Sequence, residues 1–125
     1  MATMLIVDDE LDMRLLVRLV IEMANNGLSI VGEASDGAEA LRVWRDLNEP
    51  EPDVVILDNR MPEFSGLEVA RRILTERPGQ LILLYSAFLD DTVRKQAAEI
   101  GITRCVTKHE LDRLPSLIQE LVSAA

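Results

Sequence analysis

The stretch Asp53-Val54-Val55-Ile56-Leu57-Asp58-Asn59-Arg60-Met61-Pro62-Glu63-Phe64-Ser65-Gly66 decides how this chain is read. Its first part is a continuous apolar run, the pattern of a strand covered on both faces. An acid, Asp58, closes the run. A loop holding Pro62 follows, and Ser65-Gly66 opens a segment in which Leu67, Ala70, Ile73 and Leu74 step by three and four, as on one face of a helix. Glu68, three residues after Ser65, completes the pattern of a capping box. A buried strand that ends on a carboxylate and turns into a helix is one βα unit with an acid at its open end.

The same unit recurs. Apolar runs stand at Met4-Leu5-Ile6-Val7, Ser29-Ile30-Val31, Leu81-Ile82-Leu83-Leu84-Tyr85 and Arg104-Cys105-Val106-Thr107. The second and fifth runs are weaker and suit strands nearer a sheet edge. Between the runs the period becomes helical: Leu11, Leu15, Leu19 and Met23 form the stripe of the first helix, and Ala40, Leu41, Trp44 and Leu47 that of the second. Val93, Ala97 and Ile100 mark the fourth, and Leu114, Leu117, Ile118 and Leu121 the fifth. Asp36 is the expected N-cap of the second helix. Gly101 is the expected left-handed cap of the fourth. Asp112 is a candidate cap for the fifth, with Pro115 in its first turn. Pro78-Gly79 ends the third, and Asn48-Glu49-Pro50-Glu51-Pro52 reads as a loop. Trp44 reads as a packing residue remote from any site. Five βα units with right-handed crossovers give an α/β fold: a five-stranded, doubly wound parallel sheet, (βα)5 and flavodoxin-like, with helices on both faces. Residues 1–125 read as a single domain, with no output domain in the chain.

Composition narrows the rest. At 125 residues the chain can bury a core as one domain. The start, Met1-Ala2-Thr3-Met4, lacks a basic leader, and no apolar run nears the roughly 20 residues that span a bilayer. Cys105 is the one cysteine, so no internal disulfide can form, and a reducing cytoplasmic location is expected. A formal net charge of −9 repels phosphate backbones and argues against direct nucleic-acid binding.

The chemistry lies where the runs end. Asp8 and Asp9 follow the first run, Asp58 the third, Ser86 the fourth and Lys108 the fifth. Ligands of such sheets bind beyond the carboxyl ends of the strands, at the switch in strand order. Like charges about 4 Å apart there cost about 4 kcal/mol at an effective dielectric near 20, so a proton or a cation must relieve them. Hard carboxylate oxygens suit Mg²⁺. A carboxylate beside a cation can attack phosphorus and form an acyl phosphate. A lysine and a hydroxyl such as Ser86 then offset charge on the phosphoryl oxygens. The plainer alternatives are that Asp8 and Asp9 cap the first helix and that Lys108 forms a structural ion pair with Asp58.

Asp8-Asp9-Glu10, the run Asp58-Asn59-Arg60-Met61-Pro62-Glu63-Phe64-Ser65-Gly66, Ser86-Ala87 and Lys108 together resemble the receiver domain of two-component response regulators, over essentially the whole chain. The resemblance implies that Asp58 is the phospho-acceptor. It implies that Asp9 and Asp58 ligate Mg²⁺ directly, Asp8 through water, and Arg60 by its main-chain carbonyl. Ser86 and Lys108 would bind the phosphoryl oxygens. The donor would be a sensor histidine kinase or a phosphotransfer protein. The change would be read around the fourth and fifth helices by a downstream protein or a missing output domain, with homodimerisation left open. The chain would catalyse its own phosphorylation and dephosphorylation without being a conventional enzyme, and no membrane contact is implied.

Three positions depart from the family pattern. His109 stands where proline usually follows the lysine, so a trans bond and a somewhat displaced Lys108 are expected, because a non-proline cis bond costs about 3 kcal/mol. Cys105 replaces the usual aromatic three residues before the lysine, which puts the usual output relay in question. Tyr85 and Phe88 lie near that switch loop. Arg60 could lean over the phosphoryl group or pair with Glu63. The readings kept beside the switch are a phosphorylation-independent binding module, a small hydrolase and a flavin carrier, since fold does not fix function.

Overall fold

The structure, a computed structural model, describes residues 2–24, 26–47, 51–102 and 104–124. Of the expected loop at 48–52, residues 48–50 lie outside them. The described elements run β1 (Thr3–Val7), α1 (Leu11–Ala24), β2 (Ser29–Ala34), α2 (Gly37–Asp46), β3 (Val54–Asp58), α3 (Gly66–Glu76), β4 (Leu81–Ser86), α4 (Asp91–Ile100), β5 (Arg104–Thr107), a 3-10 turn (Lys108–Arg113) and α5 (Leu114–Ala124). All strand pairs are parallel, in the order β2-β1-β3-β4-β5. The doubly wound sheet expected from the repeat is therefore present. The weaker second and fifth runs are its edges, as edge strands bury less side chain than central ones.

Side-chain alternation splits the core in two. Met4, Ile6, Val54, Ile56, Leu83, Tyr85 and Val106 pack with α1 and α5. Leu5, Val7, Val55, Leu57, Ile82 and Leu84 pack with α2, α3 and α4. Trp44 is buried in this second layer, its indole Nε1 donating to Gln80 Oε1 at 2.9 Å. Its packing role and its distance from the strand ends match the sequence reading.

The first helix differs from expectation. Leu11, Leu15, Leu19 and Met23 are 52–75% exposed, and Val17 and Ile21 are the buried residues instead. A second apolar stripe packs instead: Met13 and Val20 join Val17 and Ile21 against the core. Polar contacts flank that face. Arg14 and Arg18 pair with Glu33 of β2 at 3.2 and 2.5 Å, and Arg14 Nη1 also donates to the Asp8 carbonyl at 2.6 Å. Positions 14, 17, 18 and 21 lie on neighbouring parts of one helix face, so these contacts agree with Val17 and Ile21 turned inward. The leucine stripe is left facing solvent.

Two caps also differ. Ser65 Oγ accepts the Glu68 amide at 3.2 Å, but the Glu68 carboxylate pairs with Arg71 and Arg72 rather than closing a box. The reciprocal arrangement occurs at α2: Asp36 accepts the Glu39 amide at 2.7 Å, and Glu39 accepts the Ser35 amide at 2.7 Å. Asp112 makes no cap hydrogen bond among the described residues; it is exposed within the 3-10 turn, which leads straight into α5. Asp90 caps α4 by accepting the Val93 amide at 2.8 Å. Gly101 ends that helix at φ +111°, as expected of a left-handed cap. No described helix is long and apolar enough to cross a membrane.

The inverted face of α1 is open to test by urea denaturation. Ile21→Ala is expected to cost about 2 kcal/mol or more, and Leu19→Gln to stay within about 0.5 kcal/mol. The reverse ranking would mean that the leucine stripe is the packed face.

Candidate functional site

The strand order reverses between β1 and β3, which opens a crevice beyond their carboxyl ends. Alternation along each strand decides which side chains enter it. Asp8 continues the row Met4, Ile6; Asp58 continues Val54, Ile56; Tyr85 follows Leu83; Lys108 follows Val106. All four therefore rise from the α1/α5 side of the sheet. Asp8 and Asp58 are buried, at 0% and 2% exposure.

Lys108 joins them. Its Nζ lies 3.2 Å from Asp8 Oδ2 and 3.4 Å from Asp58 Oδ1. To reach both it crosses the Tyr85 ring, whose centroid is 5.1 Å from Nζ. With His109 following it, Lys108 still reaches both carboxylates. Asp8 is held by two further donors: Tyr85 Oη gives a hydrogen bond to Oδ2, and the Glu10 amide one of 2.9 Å to Oδ1.

One ammonium between two buried carboxylates leaves the crevice short of positive charge. Asp58 shows this directly. Burial, then the nearby Asp8 carboxylate, push its pKa up to about 6, although Lys108 and the Arg60 amide pull the other way. Burial works against the charge on Lys108, but Asp58 and Asp8 outweigh it and hold its pKa above the ordinary lysine value. Tyr85 is pushed far up by burial and by its bond to Asp8, so it remains a neutral donor.

The acids at the end of β1 extend the anionic surface. Asp8, Asp9 and Glu10 each place a carboxylate oxygen within 4.8 Å of the others. Asp9 and Glu10 are exposed, and Asp58 is not part of that group. Anionic oxygen donors with one compensating cation are the donor set that Mg²⁺ takes, with water filling its remaining positions.

The other sequence-selected residues lie around this centre. The Arg60 amide donates to Asp58 Oδ1 at 3.4 Å. Its exposed guanidinium lies 5.6 Å from the Phe88 ring centroid, and Glu63 is not its partner. Ser86 is buried beside the crevice and touches neither carboxylate; its Oγ accepts the Phe88 amide at 3.3 Å. Cys105 sits half-buried opposite Leu84, where burial raises its thiol pKa against a smaller pull from Arg94. Gly66 is required by close approach: a Cβ would overlap the Asp58 carbonyl oxygen. Glu63 takes φ +67° in the same loop, a left-handed conformation that few side chains adopt. Tyr85 and Glu10 were not selected as site residues from the sequence. The signal for Tyr85 was available, because it has the same strand parity as Asp58.

The comparisons with known proteins assign this doubly wound sheet, with two buried acids and a lysine at its switch point, to a class of signalling domain. A profile of the response regulator receiver domain matches residues 4–119, and the chain belongs to that family, a domain of two-component signalling. It is 32% identical over 104 residues to the chemotaxis protein CheY of Listeria monocytogenes, covering 79% of this chain and 83% of that protein. It is 36% identical over 121 residues to protein-glutamate methylesterase/protein-glutamine glutaminase 3 of Hahella chejuensis, covering 95% of this chain and 33% of that one. A two-component response regulator of the LuxR family from Aurantimonas sp. SI85-9A1 superposes with a TM-score of 0.90 at 29% identity, covering 98% of this chain and 86% of that chain. The chain spans from a third to about half of several curated relatives that it matches.

The raised pKa of Asp58 has a stability consequence. A carboxyl that holds its proton more tightly when folded contributes stability that is fully present only at low pH. That contribution falls as pH rises from about 4 to about 6 and levels off above. The loss is on the order of 2–3 kcal/mol. In cation-free buffer, Asp58→Asn is therefore expected to melt above the parent at pH 7, with the gap closing towards pH 4. A gap independent of pH would contradict the burial of Asp58 at the strand end, with Asp8 beside it.

Proposed function

We propose that this chain is a phosphorylation-driven switch in which Asp58 accepts a phosphoryl group from the phosphohistidine of a sensor histidine kinase or phosphotransfer protein. The observation that carries the proposal is Asp58 buried at the switch point with Lys108 bridging it to Asp8. An Asp58 carboxylate oxygen attacks phosphorus, the bond to the imidazole nitrogen breaks, and that nitrogen keeps the electron pair. With its pKa about 6, Asp58 is mostly ionised at neutral pH and ready to attack. Lys108 turns its ammonium from Asp8 towards the phosphoryl oxygens, where charge builds as the bond is made. The Ser86 hydroxyl accepts the Phe88 amide, which leaves its own hydrogen for a phosphoryl oxygen. Mg²⁺, when bound, neutralises phosphoryl charge; Asp8, Asp9, Asp58 and the Arg60 carbonyl would hold it. The acyl phosphate adds charge and acceptor oxygens beside the loops leading to α4 and α5, where we place the output surface.

The exposed face of α1 supports the reading of a protein donor. Leu11, Leu15, Leu16, Leu19 and Met23 are all exposed, on a helix that starts immediately after Asp8-Asp9-Glu10. A donor seated there would bring its phosphohistidine to the crevice.

The mass of the intact chain should rise by one phosphoryl group on treatment with acetyl phosphate and Mg²⁺. It should not rise after chelation or in Asp58→Asn; labelling that survives Asp58→Asn refutes the acceptor. A second measurement separates chemistry from docking. Leu15→Glu with Leu19→Glu should slow transfer from a phosphorylated protein donor at least about tenfold, as for loss of central interface contacts, and leave labelling by acetyl phosphate unchanged. Equal loss with both donors would place the defect in the site.

A further inference from the structure

Tyr85 is the chain's one tyrosine, and the chemistry proposed above gives it no role. It pairs with Asp58 in the β3–β4 register, is fully buried, and reaches past Asp58 to Asp8. A buried phenol needs a hydrogen-bond partner, and here the partner is the one fully buried carboxylate of the acidic group. Asp8 Oδ2 carries two donors, Tyr85 Oη and Lys108 Nζ, while Oδ1 carries the Glu10 amide. An ionised carboxylate offers about four lone-pair positions, so three of those on Asp8 are already used. A cation or its coordinated water that engages Asp8 must share or displace these donors. Lys108 has a second partner in Asp58 and can move at little cost. Tyr85 is different: its ring is packed among core residues under α1 and α5, and its hydroxyl has no other polar contact among the described residues.

We propose that the Tyr85 hydroxyl is a positioning group that latches Asp8 in the cation-free arrangement and sets how tightly the site takes a divalent cation. This rests on the reading that Asp8 faces Mg²⁺ and extends it to a residue on β4. The latch orients Asp8 and also withdraws electron density from it, so it opposes cation binding while keeping a buried charge satisfied. Its position on β4 makes cation occupancy felt inside the core. Cys105, where the family usually has an aromatic, cannot provide that link by ring movement.

The test uses the whole chain and Mg²⁺ alone. Calorimetric titration of Tyr85→Phe should show Mg²⁺ binding about three- to tenfold tighter than in the parent, as for release of one hydrogen bond, with Lys108 still competing. Unchanged or weaker binding by folded Tyr85→Phe overturns the latch. An independent readout needs no variant of Tyr85. Fluorotyrosine incorporation gives one ¹⁹F resonance, which should shift with Mg²⁺ and saturate at the calorimetric affinity. In Asp8→Asn it should start displaced and stay unresponsive. A resonance that ignores saturating Mg²⁺ in the parent overturns the proposal alone. A parent that binds no Mg²⁺ overturns both this proposal and the function on which it rests.

Discussion

Two carboxylates, Asp8 and Asp58, lie in the interior with one ammonium between them, and the open end of the sheet is organised by that imbalance. Neither acid could stay ionised there unaided, because a buried charge without a partner costs several kcal/mol. Lys108 supplies the partner by crossing two strand positions, from β5 over Tyr85 of β4 to β3 and β1. Its ammonium satisfies both acids at 3.2 and 3.4 Å but neutralises one charge only. What remains is an unbalanced negative charge, extended by the exposed Asp9 and Glu10. The strand ends therefore carry an excess of negative charge that a cation would offset.

The rest of the fold holds those groups still. Alternation along β1, β3, β4 and β5 puts the site side chains and the α1/α5 core on one side of the sheet. The polar groups of the site thus stand directly on packed aliphatic residues, with little room to relax. Gly66 lets α3 start hard against the end of β3, so the loop holding Arg60 is short and closely placed over Asp58. α1 is fixed through Arg14, which touches both Glu33 and the Asp8 carbonyl. The same contact that orients the helix also steadies the strand end bearing the acid.

Much of this was legible in the sequence. Continuous apolar runs, each followed by a helical period, specify parallel strands covered on both faces, and the acids and lysine fall at their ends. Asp36 and Gly101 could be recognised as caps because each does a job few other residues do. The reading failed where two patterns were equally good. α1 is apolar nearly all round, so period alone cannot say which stripe is buried. In the structure Met13, Val17, Val20 and Ile21 pack inward, and Glu33, distant in sequence on an edge strand, pairs with Arg14 and Arg18 beside them. The order of Asp8 and Asp9 posed a similar problem. The resemblance assigns Asp9 direct contact with the cation, while strand parity makes Asp8 the buried acid in this structure. Tyr85 was passed over because an aromatic in an apolar strand usually means packing alone.

The amino-acid order by itself settled the number of strands and α-helices, the parallel sense of the sheet and the chemical character of the residues at each strand end, because these follow from local periodicity and chain connectivity. Only the tertiary structure decided which face of α1 is bare, and that a lysine from β5 and a phenol from β4 meet on the same acid. Those outcomes depend on contacts between side chains up to 100 positions apart, such as Lys108 with Asp8. No local pattern encodes such meetings, since each exists only once the strands are side by side.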